Sequence, residues 1–248
     1  MKTKDVIELE KHRAALVAAS YVKDGMRVGL GSGSTMVYLV KRLGERIRNE
    51  GLKIAGVPTS SGTHQLAVEC GIPLIEPTRG LRLDLTIDGA DEIGPNLSLI
   101  KGGGAALFRE KLIASASERV AIVGDSSKIV TVLGAFPLPV EVVPFATPWV
   151  MDRIANLDGA PVLRHRKDRP DEPTITDQGN WILDCHFKQI PDPAGLASQL
   201  SQICGILEHG LFIGLANVAI VVDGDTVSIT QDYGATQNVP VSSYLATP

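Results

Sequence analysis

Glu110 is the side chain whose setting first points to chemistry. It lies in Ala105–Ser117, a segment apolar at Ala105, Ala106, Leu107, Phe108, Leu112, Ile113, Ala114 and Ala116. That pattern predicts a buried helix with no clear solvent face. The residues one turn to either side of Glu110 are Ala106 and Ala114, and such small side chains leave space above the carboxylate for a ligand. A carboxylate in apolar surroundings tends toward a raised pKa, which suits a base working near neutrality. The competing reading is an internal ion pair with Arg109, Lys111 or another cation.

Just upstream is Lys101-Gly102-Gly103-Gly104. Consecutive glycines are costly in chain entropy unless the backbone adopts an unusual course. Their amides can form an anion-stabilising nest beside the Lys101 ammonium. A flexible hinge is the alternative. Asp88-Gly89-Ala90-Asp91 ends an alternating run, and carboxylates so placed can relay protons or bind sugar hydroxyls. They could instead hold Mg²⁺, or form a solvated Asp-Gly turn.

Gly31-Ser32-Gly33-Ser34-Thr35 follows one apolar run and opens another. Glycines allow close backbone approach, and free amides at a helix start attract an anion. The P-loop lysine and the third glycine of the dinucleotide fingerprint are both missing, so a single phosphate fits best. A capped helix with turn glycines is the bland alternative. Lys128, in Asp125-Ser126-Ser127-Lys128, follows a further apolar run; it could neutralise an anion or simply be solvated.

Four strand–turn–helix units would position these groups. Strands are expected near 27–30, 53–57, 81–87 and 120–123, after an N-terminal helix over 5–22 with Val6, Leu9, Leu16 and Val17 near one face. Alternating strands and helices imply right-handed crossovers and a mainly parallel sheet. Ligands of such sheets collect beyond the carboxyl ends of the strands, where all these polar and glycine-rich segments fall. Beyond Pro137 the pattern changes. Strands near 138–145, 160–164, 180–187 and 211–215, with helices at 147–157 and 193–205, give a β-α-β-β-α-β order, the mark of a small split-βαβ domain. Arg164–Glu172 reads as an exposed loop, and residues 218–222 and 226–230 as a closing hairpin.

Bulk properties narrow the class. The 248 residues are 44% hydrophobic and 21% charged, as in an ordinary globular protein. A net charge of −4 without a basic stripe argues against a nucleic-acid partner. The cysteines Cys70, Cys185 and Cys204 are widely spaced and read as buried thiols in a reducing cytoplasm. No apolar stretch suits a signal peptide or a membrane span, and no histidine has a partner at metal-ligand spacing.

Taken together, these segments resemble ribose-5-phosphate isomerase, type A. The resemblance runs through Gly29–Thr35, Thr59-Ser60, Asp88–Glu92, Lys101–Leu107, Arg109-Glu110-Lys111, Asp125–Lys128, Pro137–Val142 and Thr176–Asn180, all in one order. It implies reversible conversion of ribose 5-phosphate to ribulose 5-phosphate, a step of the pentose phosphate pathway, without a metal or organic cofactor. Glu110 would carry the proton between C1 and C2. Asp88 would assist ring opening, with Gly89, Ala90 and Asp91 beside it on the substrate hydroxyls. Lys101 and the amides of Gly102, Gly103 and Gly104 would steady the enediolate oxygen. Ser32, Gly33, Ser34, Thr35 and Lys128 would hold the phosphate, joined by Lys11.

The resemblance further implies a Rossmann-like main domain, assigned to 1–135 and 211–248, and a smaller ferredoxin-like α+β domain over 136–210. It also implies a cytoplasmic homodimer or homotetramer. Position 32 is Ser where the family usually has Thr, so the hydroxyl is kept. Two other readings share the architecture. A sugar-phosphate-sensing regulatory domain would keep the Gly-Ser loop without needing Glu110 among small residues. A related superfamily enzyme, such as an amino-sugar phosphate isomerase or a CoA transferase, would run different chemistry on the same frame.

Overall fold

The computed structural model describes residues 2–231 and 236–245. In chain order the elements are α1 (Lys4–Ala19), β1 (Arg27–Leu30), α2 (Ser34–Glu50), β2 (Ala55–Pro58), α3 (Ser61–Glu69), β3 (Leu85–Gly89), β4 (Glu92–Ile93) and β5 (Leu99–Ile100). Then come α4 (Leu107–Ser115), β6 (Val120–Asp125), β7 (Leu138–Val142), α5 (Thr147–Ala155), β8 (Pro161–Leu163), β9 (Trp181–Cys185) and α6 (Pro193–Ser201). The last are β10 (Ile206–His209), β11 (Leu211–Phe212), β12 (Val218–Asp223), β13 (Thr226–Gln231), β14 (Thr236–Pro240) and α7 (Ser242–Leu245). Of the segment 211–248 expected in the main domain, residues 232–235 and 246–248 lie outside the described residues.

The chain divides into two units, Met1–Gly89 with Arg109–Lys128 and Gly214–Pro248, and Ala90–Phe108 with Ile129–Ile213. The first holds a 7-stranded sheet in the order β14-β13-β12-β6-β3-β1-β2. From β12 to β2 every pairing is parallel, while β13 and β14 close the edge antiparallel. β6 is buried at every position, which suits a near-continuous apolar run such as Val120–Val123 in the middle of a parallel sheet. The core gathers Val28, Leu30, Ile87, Ala121, Val123 and Ile220 of the sheet with Met36, Leu39, Val40 and Leu43 of α2.

Helix α1 meets this core through Ala14, Ala15, Val17, Ala18 and Ala19, whereas Val6 and Leu9 are 40% and 48% exposed. The expected apolar face is therefore wrong at its N-terminal half, because small alanines allow the closer approach. Helix α4 also differs from its expected all-round burial, since Leu112 is 55% exposed. The alternating run at 81–87 is a strand only from Leu85. Upstream of it Leu83 makes a lone bridge to Ser117 and packs with Val57 and Ile113 in a small cluster.

The second unit carries a 4-stranded antiparallel sheet in the order β10-β7-β9-β8, with α5 and α6 supplying Val150, Ile154 and Leu200 to its core. Numbered within the unit, that order is 4-1-3-2, the arrangement of a split-βαβ fold. Its fourth strand is Ile206–His209, not 211–215. Leu211–Phe212 instead joins Leu99–Ile100 and Glu92–Ile93 in a separate 3-stranded sheet. Those pairings draw Ala90–Phe108 into this unit rather than the main one. All cysteines are free; Cys185 is buried as expected, but Cys204 is exposed.

Candidate active site

In the first unit, the chain leaves β1 toward β2 on one side while β3 pairs on the other. This is the topological switch point where parallel sheets open a crevice. Asp88, near the end of β3, is 2% exposed. Its Oδ1 accepts the amides of Ser32 at 3.0 Å and of Gly89 at 2.7 Å. Gly31 makes this approach possible, because a Cβ there would lie 2.6 Å from the Asp88 Cα and overlap its carboxylate. Beyond it, Gly33 takes a φ of 100° and serves as the N-cap of α2, so Ser34 and Thr35 form its first turn.

The strand end of β2 supplies further polar groups. Thr59 is fully buried, and its Oγ1 lies 2.6 Å from the Ser32 Oγ. Thr63 Oγ1 donates to the Gly31 carbonyl at 2.9 Å, and Ser60 caps α3 by accepting from the Thr63 amide at 3.1 Å. The loop is thus held from β2 and β3 together. Thr63 received no role from the sequence, although its hydroxyl pattern after a strand end was the available signal.

Glu110 is 4% exposed. Its helix is sewn to the sheet lower down. A Cβ at Gly29 would strike Ile113, the Ser117 Oγ lies 2.7 Å from the Thr86 Oγ1, and Leu83 donates to the Ala116 carbonyl at 3.0 Å. A crossover helix runs antiparallel to its strands, so the residue one turn before Ile113 stands nearer their carboxyl ends. That residue is Glu110. At the end of β6 a short helical turn, Ser126–Lys128, carries Lys128. Asp125 anchors the turn by accepting from the Ser127 amide at 3.0 Å. Lys11 sits on α1 in an ion pair with Glu8 at 2.8 Å, which holds the Glu8 carboxyl below its usual range.

The second unit holds Ala90, Asp91, Lys101 and the glycines. Lys101 is 3% exposed, with its Nζ 5.5 Å from the centre of the Phe212 ring. Its amide donates to Gly210 at 2.9 Å, and Gly210 must lack a side chain because a Cβ would strike the Lys101 carbonyl. Gly102 has a φ of 102°, and its carbonyl accepts from Ala105 at 3.0 Å in a tight turn. Ala105 itself has a φ of 60°, which costs a non-glycine residue about 1–2 kcal/mol and must be enforced by its surroundings. Gly103 donates to Asp91 Oδ2 at 2.8 Å. The segment is a hydrogen-bonded bend.

Arg164 completes the bend. Its side chain is 15% exposed and forks onto Asp184, with further bonds to the carbonyls of Gly102 and Gly103. The expectation of an exposed loop holds for 165–172 and fails at Arg164. Among the described residues no group of three or more His, Cys, Asp or Glu is arranged to hold a metal ion. No described helix is long and apolar enough to cross a membrane.

Comparison with known proteins gives a consistent picture. Residues 55–226 match the family model of ribose 5-phosphate isomerase A, also called phosphoriboisomerase A. The chain is 50% identical over 212 residues to ribose-5-phosphate isomerase A 1 of Oceanobacillus iheyensis, covering 86% of this chain and 93% of that one. It is 46% identical over 241 residues to the Cereibacter sphaeroides ribose-5-phosphate isomerase A, covering 94% and 95%. Among solved structures, a D-ribose-5-phosphate isomerase in complex with phospho-erythronic acid superposes with a TM-score of 0.88 at 37% identity, covering 91% of this chain and 99% of that one. The Methanocaldococcus jannaschii ribose 5-phosphate isomerase A superposes at 0.86 and 37%, covering 90% and 99%.

Proposed function

Since the chain belongs to the ribose 5-phosphate isomerase A family and interconverts D-ribose 5-phosphate and D-ribulose 5-phosphate, we propose that Glu110 is the base that moves the proton. Shifting a carbonyl from C1 to C2 requires removal of the proton on C2 of the aldose and its return to C1. A positioned carboxylate contributes about 10²–10⁴-fold to such a step. Asp88 assists ring opening, and Asp91 binds substrate hydroxyls with Gly89 and Ala90. The oxygen that becomes negative in the enediolate is met by Lys101 and the glycine bend, where each good donor is worth about 10²–10³-fold. Ser32, Gly33, Ser34, Thr35 and Lys128 take the phosphate, with Lys11 as a further contact. The phosphate does not react; its binding energy holds C1 and C2 in register.

The observation that carries this reading is a carboxylate almost wholly withdrawn from water on α4, one turn nearer the strand ends than the residue packed on Gly29. Neither a sensing domain nor a CoA transferase is favoured by relatives of 46–50% identity that are named as the isomerase. We also read the protein as a cytoplasmic homodimer or homotetramer. Its free thiols and the exposed Phe145–Trp149 ring pair support those two readings.

The deciding experiment is Glu110→Gln, assayed for turnover and for exchange of the C2 proton with solvent deuterium. Both are expected to fall by about 10²–10⁴-fold. Phospho-erythronic acid, whose carboxylate offers two planar oxygens as an enediolate does, should still bind the variant. Exchange at the wild-type rate would remove Glu110 from the role.

A further inference from the structure

We infer that Arg164 is a positioning residue for this reaction, paired with Asp184 to lock the Gly102–Gly103 carbonyls so that the bend presents its donors correctly. The inference rests on the reading of that bend as the oxyanion site.

Arg164 lies just beyond β8, and its main chain is pinned on both sides. Its amide donates to Ile182 at 2.8 Å and its carbonyl accepts from Thr174 at 2.8 Å. Nε and Nη2 fork onto Asp184 Oδ2 and Oδ1 at 2.8 and 2.5 Å. The remaining terminal nitrogen, Nη1, donates to the Gly102 carbonyl at 2.9 Å and the Gly103 carbonyl at 3.2 Å. An ion pair alone at a protein surface contributes little. Here the fork fixes the plane of the guanidinium, and the plane fixes two successive peptide oxygens.

The first of those peptides is held at each end. Its oxygen accepts from Ala105 as well as Arg164, and its N–H, on Gly103, donates to Asp91. A donor on a carbonyl also polarises its peptide, so the attached N–H becomes a stronger donor. Through the Gly103 carbonyl Arg164 thus acts on the Gly104 amide, and through the Gly102 carbonyl on the Gly103 amide that holds Asp91. A bend with a positive φ at Gly102 and Ala105 would otherwise relax toward commoner conformations. Lysine cannot replace the residue, since an ammonium cannot fork onto a carboxylate and reach two carbonyls at once.

The test compares Arg164→Met, Arg164→Lys, Arg164→Ala and Asp184→Asn, with Glu110→Gln run in parallel. A misplacement of about 1 Å in a catalytic group costs on the order of 10²-fold. In Arg164→Met, kcat is expected to fall about 10–100-fold while KM for ribose 5-phosphate stays within about threefold. Arg164→Lys should be no better. Guanidinium ion at low millimolar concentration should restore part of kcat to Arg164→Ala, which a purely structural role would not permit. Asp184→Asn, which leaves the arginine in place, should lower kcat in the same direction. A kcat within twofold of wild type in Arg164→Met and Asp184→Asn overturns the inference. So does a loss confined to KM, or one that tracks the fraction of folded protein and ignores guanidinium. If Glu110→Gln is as active as wild type, the underlying reading fails instead; if it is inactive while Arg164→Met is normal, only this inference fails.

Discussion

The amide of Ser32 donates to the carboxylate of Asp88, on a strand that pairs with the one feeding the Ser32 loop. The contact makes one object of two segments that looked separate. One carboxylate oxygen orients the glycine-serine loop, and the side chain that carries it is almost wholly buried. If the loop takes the phosphate and Asp88 moves a proton, as proposed, one residue couples the two tasks.

That coupling predicts different outcomes for two substitutions of Asp88. Asp88→Asn keeps an Oδ1 that can accept from both Ser32 and Gly89, so the loop should persist and KM should change little. It can neither give up nor take up a proton as a carboxyl group does, so kcat should fall by about 10²–10⁴-fold. Asp88→Ala removes the acceptor as well, and KM should rise along with the loss of kcat. Steady-state kinetics on both variants checks this. An Asn variant with raised KM and normal kcat would make Asp88 a scaffold only.

Gly31 and Gly33 lie in the same loop but should respond differently to alanine. At Gly31 a Cβ would overlap Asp88, in a place where backbone and carboxylate are both committed. Overpacking of this kind costs about 1–3 kcal/mol and would displace the acid. Gly33 has open space around it and only its φ of 100° resists substitution. Gly31→Ala is thus expected to lower both melting temperature and kcat, and Gly33→Ala chiefly the affinity for the phosphate end. Equal effects on kcat would count against the close approach at Gly31.

Where a polar turn follows a strand directly, the sequence showed it. Val28 to Leu30, Leu85 to Ile87 and Val120 to Val123 each end in a polar turn, and a parallel sheet brings such turns together whatever lies between. The bend at Lys101–Gly104 was legible for the same local reason, as a run of glycines beside a lysine. Arg164 was not. It lies 61 residues from the Gly103 carbonyl it reaches, and a charged residue at the start of a polar stretch carries no period that reveals burial. The two-residue strands at Glu92, Leu99 and Leu211 were equally silent, being too short for alternation to register. On α1, spacing favoured Val6 and Leu9 while packing chose the alanines, because closeness of approach is a property of two surfaces and a single helix shows only one.

Glu141 supplies a prediction about pH. It lies on β7, wholly buried, and its Oε1 accepts from the Thr176 hydroxyl at 2.7 Å and the Asn180 amide at 3.1 Å. Burial pushes its carboxyl above the usual carboxylate range; the two hydrogen bonds oppose that, and the charges of Glu208 and Asp177 add to it. The folded state therefore retains a proton that the unfolded chain gives up near its ordinary value of about 4.3. Between that value and the raised one, folded protein binds more protons than unfolded, so this group's contribution to stability falls as pH rises. Below the lower value both states are protonated and the contribution is constant. Glu141→Gln cannot ionise, so its stability relative to wild type should improve as pH rises from about 4 toward neutrality and level off once pH passes the raised value. Urea unfolding at three pH values across that range, followed by Trp181 and Trp149 fluorescence, measures the difference. A difference that stays flat, or shrinks with rising pH, would show that the buried carboxylate is ionised without penalty.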